Sequence, residues 1–210
     1  LQSAVFAISN IVIQSAINSL GKVVMAASSA AYNIEVFAYD VMNSYNQACT
    51  TFVGQNYGAG QIRRCRKTLY LCLIEDAVSL GATVALVLLT GRFLLSIFNN
   101  DPQVIALGYD RLKIVFFAYI FSLLYEVMSG YLRGFGISLV PAALTALGVC
   151  GIRIAWIHFV FPQHPTLQTI MTSYPVSLSA TALMIFIALL CYRPARKHAA
   201  MEREPAPAGN

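Results

Sequence analysis

Apolar residues fall in blocks too long for the core of a soluble domain, and polar residues lie either between the blocks or on single faces within them. Taken as helices, the blocks give spans over 1–20, 26–53, 69–98, 104–130, 138–161 and 167–191. Each is near or above the ~20 residues that cross a hydrocarbon core at ~1.5 Å rise per residue. The connecting stretches carry turn chemistry: Gly21-Lys22, Asn99-Asn100-Asp101-Pro102 (also a helix cap), Arg133-Gly134-Phe135-Gly136 and Pro162-Gln163-His164-Pro165. The expected fold class is all-α: a polytopic membrane protein, a six-transmembrane-helix bundle over residues 1–192. The polar, Pro/Ala-rich tail over 193–210 is expected to be cytoplasmic and disordered beyond its first turn.

The polar positions inside the blocks are patterned. Asn10, Gln14 and Asn18 stand four apart and share one helix face. Lipid offers an amide no partner, so this face is expected to look at a neighbouring helix or a wet cavity. In the second span Asn33, Asp40, Asn43 and Gln47 share a face, with Glu35, Met42 and Asn46 on the adjoining one, as in a bundle helix that lines a cavity. Glu126 stands in an otherwise apolar helix, on a face with Ser122 and Ser129. An intramembrane carboxylate costs about 2.5–3.5 kcal/mol on insertion scales unless paired or wet.

The candidates for cation coupling or substrate contact are therefore Glu126, Glu35, Asp40, Asn10 and Gln14. Structural roles compete with this reading. Glu126 can pair with Arg133 one face-repeat on, and Glu35 or Asp40 can bond to the amide stripe of the first span. Arg153, inside the fifth span, needs a counter-ion, for which Glu35, Asp40 and Glu126 are the candidates. Pro175, among Ser173, Tyr174, Ser177 and Ser179, marks a kink or a hinge.

Composition strengthens the membrane reading. Of the 210 residues 58% are hydrophobic and 11% charged, with mean hydropathy +0.65, whereas soluble domains carry roughly 25% charged residues. The net charge of +5 does not point to nucleic acid, because basic and aromatic residues are not interleaved on any segment. It points to topology. Arg63, Arg64, Arg66, Lys67, Arg133, Arg193, Arg196, Lys197 and Arg203 fall on one side of a six-span chain, against Lys22, Arg92, Arg111 and Lys113. The positive-inside rule then puts the first side, and both ends, in the cytoplasm of a plasma-membrane protein. Five cysteines form no CxxC pair and read as reduced thiols in packing roles, with no metal site. GxSxG, HExxH and P-loop patterns are absent, so no enzyme and no cofactor are expected. The chain opens without Met inside an apolar run, which reads as a fragment.

One stretch organises the rest. Val53-Gly54-Gln55-Asn56-Tyr57-Gly58-Ala59-Gly60 closes the second span and is followed by Arg63, Arg64, Arg66 and Lys67. Its glycines are expected to turn the chain out of the membrane, with Gln55 and Asn56 capping the helix end. Together with the amide-bearing first span and Leu132-Arg133-Gly134-Phe135-Gly136, this stretch resembles the C-terminal lobe of a MATE (multidrug and toxic compound extrusion) transporter over roughly residues 1–192.

The resemblance implies a twelve-helix exporter of two six-helix lobes, with this chain as the second. It also implies H+ or Na+ as coupling ion, amphipathic or cationic small molecules as substrates, and the N-terminal lobe and the lipid bilayer as partners. Gly54, Gln55, Asn56, Gly58, Arg133 and Gly134 are the motif positions it carries over. Several branches of the family place the acid of the fourth helix one turn earlier, where this chain has Ser122. The alternatives are a stand-alone six-helix membrane protein with a structural or subunit role, and a relative of the lipid-linked oligosaccharide flippases.

Overall fold

The computed structural model describes residues 2–194, with side chains from Phe6 onward, so the tail expected at 193–210 lies from residue 195 on outside the described residues. The described chain is all-helical: α1 (Gln2–Ser19), α2 (Lys22–Gly58), α3 (Ile62–Phe98), α4 (Pro102–Gly134), α5 (Leu139–Thr145), a π-helical turn over Ala146–Gly151, α6 (Ile152–Phe159) and α7 (Leu167–Tyr192). The run from α5 through α6 is one rod. Four described helices are long and apolar enough to cross a membrane: Ile62–Phe98, Pro102–Gly134, Leu139–Phe159 and Leu167–Tyr192. The protein is thus a polytopic helical membrane protein. α1 and α2 fall short on apolarity, because the amides and acids of their polar faces lower it.

Local chemistry explains most of the boundaries. Asp101 caps α4, its Oδ1 accepting from the Gln103 amide at 2.8 Å, with Pro102 at the first helical position. Thr166 caps α7, its hydroxyl accepting from the Thr169 amide at 3.2 Å. Pro175 sits inside α7 without ending it. The π turn, which no sequence signal announced, lies where Gly148 presses against Thr181 and Met184 of α7. A Cβ at Gly148 would collide with both side chains, so the wider turn and the glycine let the rod approach α7 closely.

α4 is the central helix, packed against α2, α7 and α3, and its face from Leu112 to Leu132 is almost wholly buried. α2 and α4 run parallel and in register, since Asn46 meets Glu126 and Thr50 meets Gly130. Glycines make the crossing possible. A Cβ on Gly130 would lie 2.6 Å from the Asn46 carbonyl oxygen, and one on Gly134 would lie 2.6 Å from the Val53 side chain. Thr50 Oγ1 ties the helices, donating at 2.9 Å to the Asn46 carbonyl or at 3.2 Å to that of Gly130.

This corrects the expected role of the organising stretch. α2 does not end at residue 53 but continues to Gly58, and the turn is confined to Ala59–Gln61, where Gly60 takes φ 71°. Gly54 is helical and faces the Gly134 carbonyl across the crossing. Asn56 does bond near the helix end, its Nδ2 donating to the Phe52 carbonyl at 2.7 Å. Gln55 contributes its backbone carbonyl, which accepts from the Ala59 amide. Phe135 closes the end of the crossing, with ring centroids 5.1 Å from both Tyr57 and Tyr131. α3 likewise begins earlier than expected, at Ile62, with Arg63, Arg64, Arg66 and Lys67 exposed on its first turns.

Gly130→Ala and Gly134→Ala are expected to lower the thermal unfolding midpoint in detergent by the equivalent of about 1–3 kcal/mol each, the usual cost of overpacking. Gly58→Ala, whose Cβ meets nothing within 4 Å, leaves the midpoint unchanged or raises it. A scan of the three variants checks both expectations.

Candidate functional site

The α2–α4 register brings polar side chains from several helices, Thr145 of α5 among them, onto one cavity of about 590 Å³. α1 contributes Phe6 and Asn10, and α2 contributes Tyr32, Glu35, Tyr39, Asn43 and Asn46. α4 contributes Tyr119, Ser122, Tyr125, Glu126 and Arg133; Arg153 enters from α6 and Tyr174 from α7. In α2 the lining positions fall between the two faces read from the sequence. Asn33, Asp40 and Gln47 point outward and are exposed.

Of the candidate residues, Glu126, Glu35 and Asn10 line the cavity. Gln14 and Asp40 do not, because both are on exposed helix faces. Gln14 donates to Asn18 at 2.8 Å, so the amide stripe of α1 is satisfied partly by itself rather than by Glu35 or Asp40.

The charges pair differently from the expectation. Glu35 is held by Arg111 in a two-pronged pair, from Nε at 2.7 Å and Nη2 at 2.8 Å, with both side chains almost fully buried. Arg111 was assigned to the outer side of the membrane. It lies instead inside the bundle, on the buried face of α4 that looks at α2. Arg153 therefore takes neither Glu35, Asp40 nor Glu126. Its Nε donates to Ser177 Oγ at 3.0 Å and its guanidinium lies 4.1 Å from the Tyr174 ring centroid, a cation–π arrangement. Ser177 and the Tyr174 ring, on either side of Pro175, thus hold Arg153 in place.

Glu126 has no salt-bridge partner among the described residues. Its Oε2 accepts from Asn46 Nδ2 at 2.5 Å, and Arg133 lines the same cavity without pairing to it. What sequence reasoning missed is Asp76. It is fully buried in α3, and neither carboxylate oxygen has a hydrogen-bond partner. The available signal was its position one turn beyond buried Cys72 and one turn before Ser79 and Leu80, on the inward face of an otherwise apolar helix.

A helical bundle with a polar, tyrosine-rich cavity among its membrane helices is the architecture of a membrane transporter or carrier lobe. The chain belongs to the MatE family, whose profile matches residues 1–157. Among curated proteins it is similar to the multidrug resistance protein PmpM of Pseudomonas aeruginosa, 28% identical over 226 aligned positions, covering 99% of this chain and 45% of that protein. It is also similar to the probable multidrug resistance protein NorM of Chromobacterium violaceum, 29% identical over 143 residues, covering 66% of this chain and 30% of that protein. Among solved structures, a MATE protein in its bent conformation matches with a TM-score of 0.82 at 14% identity, covering 98% of this chain and 46% of that one. At that identity the match shows the fold. The chain thus spans less than half the length of these relatives.

Removing one partner of the buried pair strands a charge. Arg111→Met is expected to destabilise the bundle by about 3–5 kcal/mol, and the double variant with Glu35→Leu to recover most of that loss. Denaturation of the two single variants and the double variant in detergent measures the coupling.

Proposed function

We propose that this chain forms the second lobe of a twelve-helix secondary transporter that exports amphipathic or cationic compounds in exchange for H+ or Na+, and that it carries no catalytic activity. In this reading α1 and α2 cross the membrane with the four apolar spans, giving a six-helix lobe over 1–192. Both of its ends face the cytoplasm of the plasma membrane, where Arg63, Arg64, Arg66 and Lys67 meet the headgroups. The polar outer faces of α1 and α2 support a partner lobe. Gln14, Asn18, Asn33 and Asp40 are exposed on the isolated bundle, and lipid would leave such groups unsatisfied. A second six-helix lobe would cover them.

The observation that carries the reading is the state of the cavity carboxylates. Glu35 is neutralised by Arg111, whereas Glu126 faces the cavity held by neutral groups, the Asn46 amide of α2 and its neighbour Tyr125. A proton or Na+ on Glu126 would remove charge from the point where α2 and α4 are locked together. It would change what Asn46 donates to, and so bias one packing of the crossing over another. Gly54, Gly130 and Gly134 would let the helices shift with little steric resistance, while Asn56 and Arg133 hold the ends of the crossing, and Gly58 ends α2 without taking part in it. Asn10 would complete the polar wall. Asp40 and Gln14 would lie at the lobe–lobe interface rather than on the ion.

Arg153 and Arg133 on the cavity wall favour a second reading, in which the substrate also carries an anionic group, as a lipid-linked oligosaccharide would. Efflux of a cationic dye against that of an anionic one separates the two. Loss of only the anionic activity in Arg153→Gln would establish the second.

In the transporter that contains this chain, Glu126→Gln is expected to lower ion-driven efflux by roughly 5–150-fold, the range of coupling free energies of about 1–3 kcal/mol. The residual efflux should no longer depend on the ion gradient. Asp40→Asn should keep that dependence. An unchanged gradient dependence in Glu126→Gln makes Glu126 structural.

A further inference from the structure

Behind the cavity wall lies a second group of polar atoms that the proposed transport cycle does not use. α3 runs antiparallel to α2. Cys65 Sγ reaches the Val53 carbonyl at 3.6 Å at one end of their contact, and Tyr45 and Ser79 hydroxyls meet at 2.6 Å further along. These two rungs place Asp76 level with Asn46. Asp76 is fully buried and does not line the cavity, whereas Asn46 and Glu126 do.

The hydrogen-bond inventory at this level is unbalanced. Asn46 gives its Nδ2 to Glu126, and its Oδ1 has no donor. Asp76 adds two further acceptors without a donor, and the buried Ser129 hydroxyl, one turn beyond Glu126, has no partner either. Three buried acceptors thus stand at this level without a donor. An ionised carboxylate in such a place is severely penalised unless it is paired, and in practice the group neutralises instead. No cationic side chain among the described residues is within ion-pair distance of Asp76. The titratable groups around it are Cys72 and Glu75 on its own helix, Tyr45 and Cys49 on α2 and Glu126 on α4. None of these supplies a positive charge, and the Glu126 carboxylate adds a like one.

We propose that Asp76 is a second proton-binding carboxylate, buried one layer behind Glu126 and separated from the cavity by Asn46. The proton converts one Asp76 acceptor into a donor, which supplies what the cluster lacks. The ligand is a proton rather than a metal cation, and the assignment does not depend on the transport reading.

The purified chain in nanodiscs tests this by infrared spectroscopy of the protonated-carboxyl carbonyl stretch. At neutral pH the wild type should show such a band, Asp76→Asn should lose it, and Glu126→Gln should retain it. Asp76→Asn is a neutral isostere and is expected to fold with an unchanged helical circular dichroism spectrum. If it does not fold, Asp76→Glu serves, and its band should shift without loss. A band that is absent in the wild type, or that survives Asp76→Asn unchanged, overturns the proposal. So does a band abolished by Na+ at constant pH, which would make the site a Na+ site instead.

Discussion

The close crossing of α2 and α4 is the constraint on which the rest depends. Two parallel helices meet at glycines, with Gly130 against the Asn46 backbone and Gly134 against Val53. Without a hydrophobic driving force between helices in lipid, such contacts rest on close packing and interhelical hydrogen bonds. Thr50 supplies one such bond, to the Gly130 carbonyl, and Asn46 the other, to Glu126. Because the separation is set by glycines, the Asn46–Glu126 bond is set too. A carboxylate in the bundle is therefore held at a fixed place by the same geometry that holds the fold.

That crossing also sorts the acids. Above it Glu35 meets Arg111 between the same two helices. A buried pair of this kind contributes little net stability, since desolvation offsets most of the attraction, but it cannot lose one member without large cost. It is therefore a poor place for an ion that must come and go. Glu126 has neutral hydrogen-bond partners, Asn46 and Tyr125, which remain tolerable in either protonation state. Asn46 can donate to a carboxylate or to the carbonyl oxygen of a protonated acid. The division of labour follows from which neighbour each acid has, a guanidinium or an amide.

The sequence disclosed the helices well and the partnerships poorly. Apolar block length located the four helices long and apolar enough to cross a membrane, because the bilayer imposes a length that leaves few alternatives. Asp101-Pro102 and the glycine of Gly60 marked real ends. Gly54 misled, because a glycine that opens a turn and one that faces a neighbouring backbone look alike in a single sequence, and only the partner helix tells them apart. The Glu35–Arg111 pair was hidden by the same limitation. Arg111 sits near the start of an apolar block, where a cation reads as a surface anchor, and only the α2 register reveals its partner. Asp76 stands beside Glu75 near the start of a span, but adjacent residues point in different directions on a helix, and only Asp76 is buried. The π turn had no sequence signal of its own, and it supports the rod beside α7 from which Arg153 reaches Tyr174 and Ser177.

The exposed polar faces constrain what surrounds the lobe. A helix whose outer face carries Asn33, Asp40 and Gln47 cannot turn that face to hydrocarbon without leaving its side chains unsatisfied. The neighbouring face of α1 carries Asn10, Gln14 and Asn18, of which only Asn10 reaches the cavity. Both faces belong to the two helices that fall short of an apolar span. By contrast α3 exposes Leu86, Leu89, Phe93 and Ile97, a surface suited to lipid chains. The bundle is therefore two-sided, with an apolar side formed by α3 and a polar side formed by α1 and α2. The cavity containing Glu126 is shared by α1, α2, α4 and the arginine-bearing rod. A partner that covers α1 and α2 would thus bear directly on the helix that carries Asn46. Any movement of that partner would act on the glycine-lined crossing before it reached the rest of the bundle.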